Sequence, residues 1–239
     1  MNAPVLESPG GHTPPPPVVV QTPTRAMLIS LGLVAAICGL IIVTAFEASL
    51  PSVKENRRMA VERAIGKVLP GAAKTVAYYA LPEGGVAALG AAAMPAGALP
   101  FHAAFDASGQ LMGIAAEGAA KGYADNVRIM FGYSPKCACV VGISVVSMRE
   151  TPGIGDKILT DASFLANFKA LDTRLAADMR TLANEVKTVK HGSKTQPWQV
   201  DAISGATVTS RAVGRAINDA AQALLPRLVP HLEQIGSPK

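Results

Sequence analysis

The sequence predicts an α+β chain: one apolar amino-terminal helix able to cross a membrane, then an antiparallel sheet flanked by helices. Three observations predict it. From Ala26 to Phe46 no residue is charged, and about 21 residues at ~1.5 Å each reach roughly 31 Å, enough for a bilayer core. Between Thr75 and Met148 apolar residues recur in runs and alternations broken by turn signals, the pattern of strands. Helical spacing dominates only after that point, and strands followed by helices indicate α+β rather than alternating βαβ units. No Gly-rich phosphate loop of the P-loop or dinucleotide type occurs.

In chain order, residues 1–25 include Pro4, Pro9, Pro14 to Pro17 and Pro23. This composition buries no core and reads as an extended or disordered tail. Residues 26–46 are the membrane span. A cleaved signal peptide competes, with Ala45 and Ala48 as small residues, but the run exceeds a usual signal h-region and follows the Pro-rich tail. Residues 47–70 read as a juxtamembrane linker helix: Ser52 to Leu69 carries an imperfect apolar stripe that Pro70-Gly71 stops. Residues 71–239 form the remaining domain.

Within that domain Thr75–Leu81 reads as a strand and Pro82–Leu99 as an Ala/Gly-rich loop. Phe101–Asp106 and Leu111–Ala116 flank Ala107-Ser108-Gly109-Gln110, a hairpin signal. Asn126–Tyr133 alternates, with Val127, Ile129 and Phe131 on one face. Cys137–Met148 is the most continuous apolar run of the domain and reads as a central strand. Ser163–Phe168 and Arg174–Glu185 read as helices, and Val186–Thr195 as a basic strand or loop. Trp198, the single Trp, reads as core or rim packing. A last helix begins near Thr209, with Val213, Ile217, Ala220 and Leu224 on one face, and Pro226 and Pro230 interrupt it.

The net charge of +5 draws on Lys54, Arg57, Arg58, Arg63 and Lys67 beside the span, which suits anionic lipid headgroups. No interleaving of aromatic with basic residues points to nucleic acid. The three cysteines give no disulfide framework. Cys137 and Cys139 flank Ala138 on one face of a strand-like stretch, where a bridge between them would be strained. The four histidines are scattered, and no metal-ligand spacing appears. No nucleophile–base set for substrate turnover carries a signature.

Two stretches stand apart. Asp201-Ala202-Ile203-Ser204-Gly205-Ala206-Thr207 lies where a polar loop gives way to the last helix. Ser204, Thr207, Thr209 and Ser210 are all capping residue types, and Gly205 allows a sharp turn. A helix entrance collects unpaired N–H groups and the positive dipole end, and suits a phosphate. Upstream, Glu150-Thr151-Pro152-Gly153-Ile154-Gly155 is by composition a Pro-Gly turn.

Together these stretches resemble the FMN-binding domain family, which includes the G subunit of the Rnf electron-transport complex and the C subunit of the sodium-pumping NADH:quinone reductase. The resemblance covers about Phe101 to Leu225 and the amino-terminal anchor. Asp-x-x-Ser-Gly-Ala-Thr is similar to the family's flavinylation motif, and Glu-Thr-Pro-Gly-Ile-Gly to the loop that lies against the flavin. The resemblance implies FMN joined by a phosphoester to Thr207, within Ser204, Gly205, Ala206 and Thr207, with Thr151, Gly153 and Gly155 as further cofactor contacts. Gly122-Tyr123 and Gly142-Ile143 also resemble the family, without a role. It further implies an electron carrier within a larger complex rather than a free-standing enzyme. Its partners would be other membrane subunits of an electron-transport complex and an FAD-dependent flavin transferase. Lys and Arg counts by themselves put the domain in the cytoplasm. The resemblance implies the outer, periplasmic face of the inner membrane, with a single pass. A flavin-free assembly module of the same fold and a stand-alone flavin reductase are the alternatives.

Overall fold

The computed structural model describes residues 23–90 and 94–235. The tail expectation for residues 1–22, and the loop expectation at residues 91–93, lie outside the described residues. The chain divides into two units, residues 1–53 and 54–239.

Helix α1 spans Thr24–Val68. In the first unit its apolar side chains from Met27 to Phe46 are exposed. Its hydroxyls turn inward on the backbone. Ser30 Oγ donates to the Met27 carbonyl, Thr44 Oγ1 to Leu40, and Ser49 Oγ to Phe46. A polar side chain satisfied this way suits an apolar surrounding.

In the second unit, seven strands form one antiparallel sheet in the order β2-β1-β3-β4-β5-β6-β7. They are β1 Lys74–Ala80, β2 Val86–Ala88, β3 Leu99–Phe105, β4 Leu111–Lys121, β5 Asn126–Ser134, β6 Cys139–Ser147 and β7 Leu171–Asp172. The β3–β4 turn is fixed by Asp106, whose Oδ1 accepts from the Ser108 N–H, the Ser108 hydroxyl and the Gln110 N–H.

Both faces of the sheet are covered. On one lies α3, Thr207–Leu228, which buries Val213, Ile217, Leu224 and Leu225 against Phe101, Ile114, Ile129 and Phe131. On the other, Ala64, Ile65, Val68 and Leu69 pack on Ala104, Ala115 and Met130. Gly132 and Gly142 are register partners beneath this second contact. A Cβ on Gly132 would stand 2.6 Å from the Val68 carbonyl oxygen, so only glycine fits.

Five expectations change. Cys137–Met148 is not central: β6 pairs with β5 along its length but with β7 only at Cys139 and Val140. It reads as continuously apolar because both of its faces are covered: Ile143 and Val145 join one core and Val141 and Val146 the other.

Arg174–Glu185 is not a helix. Leu175 and Leu182 form an antiparallel bridge, and Met179 turns the chain with φ of 58°. Two long-range bonds outweigh its helical spacing: the Leu182 N–H donates to Gln222 Oε1 at 3.1 Å and the Val186 N–H to Asn218 Oδ1 at 3.0 Å.

Cys137 and Cys139 are bridged. The backbone between them is not extended: Ala138 has φ of 51°, which brings the two Cα atoms to 5.2 Å, within ordinary disulfide range.

Pro226 does not end the last helix, which runs through it to Leu228 before a 3-10 turn over Val229–Gln234. Proline there forgoes one hydrogen bond to the carbonyl four residues back, and the helix continues only through Arg227 and Leu228 before the turn tightens. The loop expected over Pro82–Leu99 contains the short edge strand β2. The basic segment after Val186 contributes β8, Lys187–Val189, which pairs in parallel with β9, Gln199–Asp201.

Candidate functional site

The last residue of β9, Asp201, shapes the approach to α3. Its carboxylate accepts from the Gly192 and Ser193 N–H groups at 3.0 and 3.3 Å. Asn167 clasps its backbone: Oδ1 accepts from the Asp201 N–H at 3.1 Å, and Nδ2 donates to the Asp201 carbonyl at 3.3 Å. Lys194 Nζ donates to the same Asn167 Oδ1, and burial lowers the Lys194 pKa against the opposing Asp201 charge. Asp201 therefore orders a loop; it does not line the cleft described next.

Beyond it the chain turns through Gly205, whose φ of 82° only glycine adopts readily, and enters α3 with Ala206 as the N-cap. Among the described residues no side chain caps this turn. The capping residue types serve other partners. Ser210 Oγ accepts from the Ile203 N–H at 3.1 Å and donates to the Ala206 carbonyl at 2.9 Å. Thr209 Oγ1 donates to Glu150 Oε2 at 2.8 Å. Ser204 is exposed and Thr207 half-buried.

The Glu150 carboxylate joins three segments. Its Oε2 holds Thr209 of α3, and its Oε1 accepts from the Ala124 N–H at 3.2 Å in the turn after β4. That turn is closed by the Gly122 N–H donating to the Asp125 carbonyl at 2.8 Å. A Cβ on Gly155 would stand 2.6 Å from Glu150 Cβ and 3.1 Å from Thr209 Oγ1, and a Cβ on Gly122 would collide with Glu150 Oε1. These two glycines make room for the carboxylate.

The result is a cleft of about 410 Å³ lined by Tyr123, Glu150, Thr151, Ile154, Gly155 and Gly205–Thr209. The structure brings Thr151, Gly155, Gly205, Ala206 and Thr207 to its wall. Ser204 and Gly153 are not part of the lining, and neither is Trp198. Sequence reasoning missed Glu150, Thr209, Tyr123, Ile154 and Val208 as parts of this cleft. Glu150 stood in the upstream motif, but its partner Thr209 lies 59 residues on, beyond any local signal.

The volume falls within the range of small-molecule and cofactor sites. A hydroxyl at the first position of a helix, beside first-turn N–H groups, suits a phosphate. The residues present thus fit a phosphate-bearing planar cofactor.

Comparison with known proteins agrees. The FMN-binding domain family model matches residues 122–222. The G subunit of the ion-translocating oxidoreductase complex of Aliivibrio fischeri is 34% identical over 125 residues, covering 52% of this chain and 54% of that protein. The G subunit of the Na(+)-translocating ferredoxin:NAD(+) oxidoreductase complex of Acetobacterium woodii is 30% identical over 112 residues, 46% of this chain and 48% of that protein. The chain spans about half the length of the curated relatives it matches. A solved structure, the C subunit of the Na(+)-translocating NADH-quinone reductase from Parabacteroides distasonis, shares the fold with a TM-score of 0.56. It is 19% identical, over 73% of this chain and 94% of that one. The FMN-binding domain model thus matches the stretch that holds both motifs and every residue lining the cleft.

Proposed function

We propose that this chain is a membrane-anchored electron-carrier subunit bearing FMN through a phosphoester at Thr207. One observation carries the reading: the Thr151–Gly155 loop and the Gly205–Thr207 turn, far apart in sequence, line one cleft. Bound there, the isoalloxazine would supply reversible one- and two-electron redox chemistry. The chain's part is attachment and placement. An FAD-dependent transferase would form the bond from Thr207 Oγ1 to phosphorus as the FAD diphosphate linkage breaks, with AMP leaving and the hydroxyl proton released. First-turn N–H groups of α3 would hold the phosphodiester. Glu150 holds the opposite wall at a fixed separation from α3 through Thr209 and Ala124.

Residues 26–46 serve as the single membrane span, 47–70 as the juxtamembrane helix and 71–239 as the flavin-bearing domain, on the outer face of the inner membrane. Anchoring keeps the flavin at high effective concentration beside partner redox subunits. The basic residues Lys54, Arg63 and Lys67 suit the lipid surface. The similarity to the G subunits of ion-translocating oxidoreductase complexes supports this assignment.

The test is co-expression of the full chain with a flavin transferase. Wild type and Thr207→Ser are expected to keep flavin fluorescence on a denaturing gel, and Thr207→Ala to lose it while remaining folded. A peptide spanning residues 200–211 that shows only its unmodified mass overturns the proposal and favours the flavin-free assembly module.

A further inference from the structure

Seven large apolar side chains from Lys54 onward are exposed among the described residues, and three of them line the cleft beside Thr207: Tyr123, Ile154 and Val208. Tyr123 is the most exposed of the seven at 72%; Ile154 and Val208 are each at 49%. Exposed apolar side chains are ordinarily scattered singly. Here they converge on one cavity. Each also stands on a restrained segment. The turn carrying Tyr123 is closed by Gly122 to Asp125 and held by Ala124 to Glu150. The Ile154 and Gly155 N–H groups both donate to the Thr151 carbonyl, at 3.2 and 3.0 Å. Val208 sits in the first turn of α3, next to the proposed tether. An aromatic held at a cleft mouth, with apolar neighbours and no core to enter, is suited to a flat aromatic ligand.

We infer that Tyr123 is the stacking partner of the isoalloxazine ring, with Ile154 and Val208 completing the apolar wall. This rests on the reading that Thr207 carries the flavin. Tyr123 touches the cofactor and sets the polarity around it; it forms no bond and moves no proton. Trp198 is half-buried and outside the lining, so it is not placed to stack there.

Flavin fluorescence tests this, because an electron-rich aromatic ring in contact with an excited flavin quenches it by electron donation, and an aliphatic side chain does not. The full chain is co-expressed with a flavin transferase as wild type, Tyr123→Leu, Tyr123→Trp and Ile154→Ser. Covalent flavin is first quantified on a denaturing gel. Native fluorescence is then compared per mole of covalent flavin. Wild type and Tyr123→Trp are expected to be dim. Tyr123→Leu is expected to be several-fold brighter, and Ile154→Ser to shift the visible band towards that of free FMN. Equal native brightness of wild type and Tyr123→Leu, with covalent flavin present in both, overturns the inference and leaves the Thr207 reading intact. If Tyr123→Leu takes up no flavin, a bright Tyr123→Trp overturns it instead. Absence of covalent flavin from the wild type overturns both.

Discussion

The Thr209 hydroxyl donates to Glu150 Oε2 at 2.8 Å, joining the first turn of α3 to the corner where β6 leaves the sheet. Thr209 is buried, at 3% exposure, so removing the carboxylate leaves a buried hydroxyl without its charged acceptor. A double-mutant cycle with Glu150→Gln and Thr209→Val is expected to give a coupling of about 1–2 kcal/mol in urea denaturation. Additive single effects would show that the contact is not maintained in solution.

Gly155→Ala tests the packing around the same carboxylate. The added methyl meets Glu150 Cβ at 2.6 Å, with Glu150 Oε2 at 2.9 Å and Thr209 Oγ1 at 3.1 Å. Overpacking of this kind is expected to lower stability by about 1–3 kcal/mol. Gly153→Ala serves as comparison. It meets nothing within 4 Å but sits at φ of 76°, so its cost is backbone strain alone, about 1–2 kcal/mol. Thermal melts of the two variants, before and after flavin loading, separate crowding from strain.

His102 gives a pH dependence with a defined sign. Burial lowers its pKa below 6.5, and the nearby Glu117 charge only partly opposes this. The folded state therefore binds fewer protons here than the unfolded chain. The contribution of His102 to stability is complete above about pH 6.5 and is lost as pH falls through the folded pKa. Urea midpoints of wild type are expected to fall between pH 7.5 and 5. His102→Gln is expected to show a shallower fall over the same interval.

The Cys137–Cys139 bridge closes a very short loop, so its entropic contribution is expected to be only about 1–2 kcal/mol. Ala138 between them presents its carbonyl to the Thr173 N–H at 3.2 Å and the Thr173 hydroxyl at 3.4 Å. Reduction should therefore loosen the β6–β7 edge first. Hydrogen exchange with and without reductant is expected to show faster exchange near Leu171–Thr173, with the cleft segments unchanged.

Much of this fold follows from local chemistry. The Asp106–Gln110 turn, the alternation of β5 and the apolar stripe of α3 each carry their own signal. Arg174–Glu185 does not, because its spacing is helical while the Leu182 N–H is claimed by Gln222 of α3, and the Val186 N–H just beyond it by Asn218. Likewise the left-handed Ala138, which makes the bridge possible, breaks an otherwise strand-like run. Both motifs around the cleft could be found in sequence. That Gly155 accommodates a glutamate, and that Asp201 orders the 192–194 loop, appear only once distant segments meet.

The facing pair Gly132 and Gly142 lies under the Val68 carbonyl. A Cβ at Gly142 would stand 3.4 Å from the Val68 carbonyl oxygen, so the tight contact is with β5, at Gly132. The Val68 peptide therefore lies closer to β5 than any side chain at position 132 would allow.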